Sequence, residues 1–154
     1  MKKTIPYGKH FISNEDIDSV VSVLKSEFLT QGSKVREFEK KFSNYIGSKY
    51  AISVSNGTAA LHLCNIALGT NSGDKIITSP ITFCATANSV LYCGGEVEFC
   101  DIDEDTFLLD IKKVREKLEA NPRQYRGIIP VDYSGKAIDL ESYRSLADEF
   151  GLWI

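Results

Sequence analysis

Two hydrophobic rhythms divide this chain. Ile17, Val20, Val21 and Leu24 recur at helical spacing behind Ser13-Asn14-Glu15-Asp16, a run suited to starting a helix. Phe28-Leu29-Thr30-Gln31-Gly32 breaks the pattern. Val35, Phe38, Phe42 and Ile46 renew it on a second helix, expected to turn these four side chains inward and to end at a left-handed Gly47. From Tyr50 onward short apolar runs appear instead, and Ala51–Val54, Lys75–Thr78, Glu96–Cys100 and Gly127–Val131 read as strands. Between them the helical period returns over Thr58–Leu68, Thr82–Tyr92 and Ile111–Leu118, the last capped by Asp110. A final helix spans Leu140–Phe150, with Leu140, Tyr143, Ala147 and Phe150 on one face and Gly151 after it.

Strand–helix alternation requires crossover connections, and these build a mostly parallel sheet covered by helices. The expected fold class is therefore α/β, in three layers. An arm with two helices, residues 1–48, is expected to precede a sheet domain over residues 49–154. Leu152-Trp153-Ile154 reads as the opening of another buried strand, so the sheet domain is expected to be truncated at its C-terminal side. Open α/β sheets place their ligands at the carboxyl ends of strands.

The composition changes this picture little. With 154 residues, 43% apolar and 25% charged, the chain has material for a substantial core. A net charge of -3 gives no electrostatic footprint for nucleic acid or an anionic membrane. No apolar run approaches the roughly 20 residues that span a bilayer. MKKTIPYGKHF has a basic start without the apolar stretch of a signal peptide, so a cytoplasmic location is expected. Cys64, Cys84, Cys93 and Cys100 form no CxxC and no metal-ligand spacing, and read as reduced, buried, small apolar residues. Asn56-Gly57-Thr58 is formally a glycosylation sequon, of little weight without a secretory signal.

The candidate chemistry begins at Ser55-Asn56-Gly57-Thr58, a polar turn between an expected strand and an alanine-rich helix. A helix start presents unpaired N–H groups and the positive end of the peptide dipole. Gly57 permits close backbone approach, and Ser55 and Thr58 offer hydroxyls to a phosphate. The plain alternative is that Ser55 or Asn56 merely caps the helix. The helix expected from Thr82 also follows a strand, which places Phe83 on the same sheet edge, either beside an anion site or simply in the core. Neither G-x-G-x-x-G nor G-x-x-x-x-G-K-[ST] is present. Asp101-Ile102-Asp103-Glu104-Asp105 opens like a calcium loop, but Thr106 and Lys112 occupy the positions that need glycine and glutamate. The run reads as a solvated acidic turn, and no metal site is expected. His10 and His62 have no nucleophile or carboxylate at catalytic spacing and read as structural.

Four segments in order, FLTQGSKVREFEKKFSNYIG, SNGTAALHLCNIALG, SPITFCATANSVLYCGGEVEFCDID and IIPVDYSGKAIDLESYRSLADEFGLWI, resemble the DegT-type (DegT/DnrJ/EryC1/StrS) nucleotide-sugar aminotransferases over essentially the whole chain. Pro80-Ile81-Thr82-Phe83 and Val131-Asp132-Tyr133-Ser134-Gly135 look most like the pseudaminic-acid branch of that family. The resemblance implies the N-terminal part of the large domain of the aspartate-aminotransferase fold, pyridoxal phosphate (PLP) fold type I. It also implies pyridoxal 5'-phosphate as cofactor, and glutamate-dependent amination at C4 of a UDP-linked 4-keto-6-deoxy-N-acetylhexosamine. It assigns Asn56, Gly57, Thr58 and Ala59 to the cofactor phosphate and Phe83 to its ring. Tyr7 and Glu27, Phe28, Leu29 and Thr30 are assigned to the nucleotide sugar, and the active site is shared across a homodimer. The family's acidic partner of the pyridine nitrogen follows the strand begun by Leu152, and its Schiff-base lysine, in S-x-x-K, lies further on. Both fall beyond Ile154, so these residues alone are expected to be catalytically incompetent. The alternatives are a non-catalytic phosphate or nucleotide-sugar binding module and a non-functional gene fragment.

Overall fold

The structure, a computed structural model, describes Pro6, residues 8–30 and residues 32–154. The chain divides into two compact units that meet between Ser53 and Val54. In the first, α1 (Asn14–Leu24) opens on a capping box. Ser13 Oγ accepts the Asp16 N–H at 3.3 Å while the Asp16 carboxylate accepts the Ser13 N–H at 2.8 Å, so two otherwise orphaned donors are satisfied. The second helix, α2 (Ser33–Ile46), ends as expected at Gly47, whose φ of 71° lies in the left-handed region.

The apolar faces of these helices do not turn inward. Val35, Phe38, Phe42 and Ile46 are all exposed. Val20, Val23 and Leu24 of α1 line an open groove with Phe38 of α2, and Phe38 and Phe42 stack on each other at 5.7 Å between centroids. Periodicity marks which face is apolar, but burial requires a second surface. Nothing covers this one among the described residues of the unit.

The second unit is built on a parallel sheet of β1 (Lys75–Thr78), β2 (Glu96–Phe99) and β3 (Tyr125–Ile129), in the order β2-β1-β3. Ile77 of the central strand stands opposite Glu98 on one side and Ile128 on the other. Around it lie α3 (Gly57–Ala67), α4 (Ala85–Tyr92), α5 (Ile111–Ala120) and α6 (Leu140–Phe150). Central strands are covered on both faces, which accounts for the consecutive buried pair Ile76-Ile77. The core continues through Cys100, Leu109, Val114, Leu118, Ile128, Tyr143 and Leu146. Asp110 caps α5, accepting the Lys112 N–H at 2.9 Å, and Gly151 closes α6 with φ 68°.

Three expectations shift. Residues 51–54 are not a strand, because a strand exists only by its ladder and none lies beside them among the described residues. The Ser53 N–H donates instead to Glu39 Oε1 at 2.8 Å. The helix expected from Thr82 begins at Ala85. Pro80 and the Ser79 hydroxyl, which accepts the Ile81 N–H at 3.1 Å, hold the preceding stretch out of helical form. The strand expected at Gly127–Val131 lies two residues earlier, at Tyr125–Ile129. Trp153 forms a parallel bridge to Gly127, so a further strand does open beside β3. The Trp153 ring lies over Gly127 so closely that an added Cβ would stand 2.3 Å from it.

Candidate cofactor site

Two helix entrances carry the candidate chemistry. At the first, Asn56 caps α3: its Oδ1 accepts the Ala59 N–H at 2.9 Å and its carbonyl accepts the Ala60 N–H at 3.2 Å. The cap reading and the anion reading therefore coexist. Two donors of the first turn, those of Ala59 and Ala60, are used by Asn56, and the N–H groups of Gly57 and Thr58 have no partner among the described residues. These lie at the positive end of the helix dipole. The Thr58 hydroxyl is half-buried and also lacks a partner among the described residues.

Gly57 is the telling residue. Its φ lies outside the left-handed region, and a Cβ added there would meet nothing within 4 Å. The fold itself would accept alanine at this point. What glycine provides is clear space in front of two unpaired donors, the shape a phosphate oxygen needs. On this observation the residues present fit a phosphorylated group.

At the second entrance, β1 leads through Ser79-Pro80-Ile81 into Thr82-Phe83, just before α4. The Phe83 carbonyl accepts the Thr86 N–H at 3.0 Å, and the Thr82 and Thr86 hydroxyls meet at 2.8 Å. The turn is thus tied by one backbone and one side-chain hydrogen bond, yet Phe83 is 73% exposed. It is not a core residue. A flat apolar ring on a fixed support suits stacking against another ring. Helices α3 and α4 pack on each other, so both entrances belong to one packed pair.

Further along the carboxyl edge stand two features that sequence reasoning did not assign. After β2 the chain makes a small hairpin closed by the Ile102–Leu109 bridge, with Phe107 at φ 61°. After β3 a 3-10 turn, Tyr133–Gly135, holds Ser134 at φ 53°. The Phe107 and Tyr133 rings meet at 6.4 Å between centroids. A bulky residue in the left-handed region is strained, as Phe107 is here; Arg123, before β3, also has a positive φ of 66°. The signal lay in the sequence, since both loops follow strands.

The acidic turn is a solvated one. Lys113 donates to the Asp101 carboxylate at 2.9 Å and holds it below the usual carboxylate range. The Thr106 hydroxyl, at 2.7 Å, and its N–H do the same for Asp103. Among the described residues no three His, Cys, Asp or Glu side chains gather as metal ligands. Burial pushes the Cys100 thiol up. His62 packs edge-on against Tyr92 at 5.3 Å, a structural contact. Cys64 and Cys84 are exposed rather than buried, whereas Cys100 is buried as expected.

The residues assigned to a nucleotide sugar lie in the first unit. Glu27, Phe28, Leu29 and Thr30 form the exposed turn between α1 and α2. Gly32 closes that turn, since a Cβ there would stand 2.6 Å from the Phe28 carbonyl oxygen. Tyr7 lies outside the described residues. No helix of the described residues is long and apolar enough to cross a membrane.

A family model described as the DegT/DnrJ/EryC1/StrS aminotransferase family matches residues 10–154. The chain is 38% identical over 150 residues to the spore coat polysaccharide biosynthesis protein SpsC of Bacillus subtilis, covering 97% of this chain and 38% of that protein. It is 40% identical over 149 residues to the UDP-4-amino-4,6-dideoxy-N-acetyl-beta-L-altrosamine transaminase of Campylobacter jejuni, covering 96% of this chain and 39% of the relative. Among solved structures, the aminotransferase from Psychrobacter cryohalolentis aligns with TM-score 0.82 and 33% identity over 96% of this chain and 37% of its own. NtdA of Bacillus subtilis, solved with bound cofactor pyridoxamine phosphate (PMP), aligns with TM-score 0.81 and 34% identity over 92% of this chain and 33% of its own. The chain therefore spans well under half the length of these relatives.

Proposed function

The chain belongs to the DegT/DnrJ/EryC1/StrS aminotransferase family, a family of PLP-dependent enzymes, and from that premise we propose that its second unit is a cofactor-binding unit. The N–H groups of Gly57 and Thr58 and the Thr58 hydroxyl hold the phosphate of pyridoxal 5'-phosphate, and Phe83 supports its ring. The observation that carries this is Gly57: a glycine that the fold does not require, standing before two unpaired donors. Asn56 keeps the helix start ordered by engaging the Ala59 N–H, so the phosphate contact narrows to Gly57 and Thr58 unless the Asn56 side chain turns away. When bound, pyridoxal phosphate supplies an electron sink for amino-group transfer.

The whole protein is proposed to act as a cytoplasmic homodimer. It moves an amino group from glutamate to C4 of a UDP-linked 4-keto-6-deoxy-N-acetylhexosamine, in surface-sugar biosynthesis. The altrosamine transaminase among the relatives supports a sugar of this class. Tyr7 and the Glu27–Thr30 turn are proposed to contact the nucleotide sugar. The family's proton-shuttling lysine is proposed to be supplied from outside these 154 residues. They are accordingly proposed to bind and orient the cofactor without completing transfer. The test is glutamate-dependent amination of the 4-keto sugar, followed by NMR of the product. The protein from its complete reading frame is expected to form the 4-amino sugar, and residues 1–154 alone are expected to form none. Amination by the 154 residues would overturn the division of labour, and none by the complete protein would overturn the substrate.

A further inference from the structure

The contact between α3 and α4 carries polar side chains where packed helices ordinarily bury apolar ones. Asn65 is 2% exposed and Ser89 is 0% exposed. Asn65 Nδ2 donates to Ser89 Oγ at 3.0 Å and to the Leu61 carbonyl at 3.1 Å. The Thr70 hydroxyl donates to Asn65 Oδ1 at 3.1 Å, and the Ser89 hydroxyl donates to the Thr86 carbonyl at 2.8 Å. Thr86 is the residue that anchors Phe83 and Thr82. A buried hydrogen-bonded path therefore runs from the body of α3 to the turn that bears the exposed ring. The His62–Tyr92 edge contact pins the same helix pair at a second point.

Apolar contacts are non-directional, so a purely apolar helix interface tolerates small slips. A buried amide does not, because any slip strands its donors away from water. Single buried asparagines fix helix register elsewhere for this reason. Here α3 begins at Gly57, and α4 is entered through Phe83. A slip in the register of the two helices would therefore move the phosphate donors relative to the ring support.

We propose that Asn65 and Ser89 are positioning residues for the cofactor: their hydrogen bond sets the separation of the Gly57–Thr58 donors from the Phe83 ring to that of a phosphorylated pyridine. Neither residue touches the ligand. The inference rests on the cofactor assignment above and goes further by naming what tunes it. A ligand that uses one half of the site is indifferent to the separation, whereas one that bridges both halves is sensitive to it.

The experiment titrates the apoprotein, from its complete reading frame, with pyridoxal phosphate and, in competition, with inorganic phosphate. Asn65→Leu is expected to raise the dissociation constant for pyridoxal phosphate by roughly fivefold or more, while that for inorganic phosphate stays within about twofold. Ser89→Ala, a smaller change, is expected to show the same split and decides alone if Asn65→Leu fails to fold. Tyr143→Phe, which removes a buried hydroxyl bonded to the Leu109 carbonyl, is expected to lower thermal stability and leave both constants unchanged. Equal shifts in the two constants for the α3–α4 variants, or no shift in either, would overturn the inference alone. Failure of inorganic phosphate to compete with pyridoxal phosphate in the unaltered protein would overturn the cofactor assignment, and the inference with it.

Discussion

Gly57 and Phe83 break opposite rules, and both breaches point the same way. Glycine at a helix start is tolerated when it caps or turns the chain, but here Asn56 does the capping and the backbone is not left-handed. Replacing Gly57 by alanine adds a methyl group into open space and removes backbone freedom from the unfolded chain. The variant is expected to keep or slightly raise its melting temperature. Its affinity for pyridoxal phosphate is expected to fall about tenfold, or ~1.4 kcal/mol, as the methyl group occupies the phosphate approach. Phe83→Ala loses a ring that is mostly in water, so stability is expected to change little while the stack, worth about 0.5–1.5 kcal/mol, is lost. Parallel thermal melts and cofactor titrations check both. Loss of stability with unchanged affinity in either variant would return that residue to a purely structural role.

Between neighbouring elements, the junction of β3 with the chain around Trp153 leaves the least room at any glycine of the sheet unit. An added Cβ at Gly127 would stand 2.3 Å from the indole, so Gly127→Ala must displace the ring. Overpacking of this kind costs about 1–3 kcal/mol. Trp153 is the only tryptophan of these 154 residues, so within them its emission reports the event: a red shift with a lower melting temperature is expected, and unchanged emission would show that the strand does not pack here. In the first unit, α2 carries an ion-pair ladder in which Glu37 accepts from Lys34 at 2.7 Å and from Lys41 at 2.8 Å. The hydrogen bonds from Lys34 and Lys41 lower the Glu37 carboxyl to about 2, from an ordinary value of 4.5. A carboxylate depressed in the folded state stabilises above its unfolded value and loses that contribution as pH falls through the folded one. Helix content of α2 is therefore expected to weaken between about pH 4.5 and 2, and Glu37→Gln to remove that dependence. The pair is exposed, so salt is expected to blunt the effect. Circular dichroism across this range at low and high ionic strength checks it.

For the whole molecule, what the sequence made legible was whatever is locally determined. Ser13 and Asp110 announce helix starts, and Gly47 and Gly151 announce helix ends, because caps bond within a few residues of themselves. Residues 51–54 carry strand residues without forming a strand, since a ladder needs a neighbour that composition does not supply. The apolar faces of α1 and α2 were legible as faces, but not as uncovered ones. Phe83 reads as core by residue type, and only the anchored, open turn shows it to be a surface platform. Nothing in the sequence pattern pairs Asn65 with Ser89, which packing places together at 3.0 Å. The central claim is that this packed pair of helices presents one phosphate cradle and one ring support. It is tested most directly by a crystal structure of the protein bound to pyridoxamine 5'-phosphate, which needs no covalent lysine to bind. The account predicts phosphate oxygens within hydrogen-bonding distance of the Gly57 and Thr58 N–H groups and the pyridine ring stacked on Phe83. A phosphate seated elsewhere, or a ring turned away from Phe83, would contradict it.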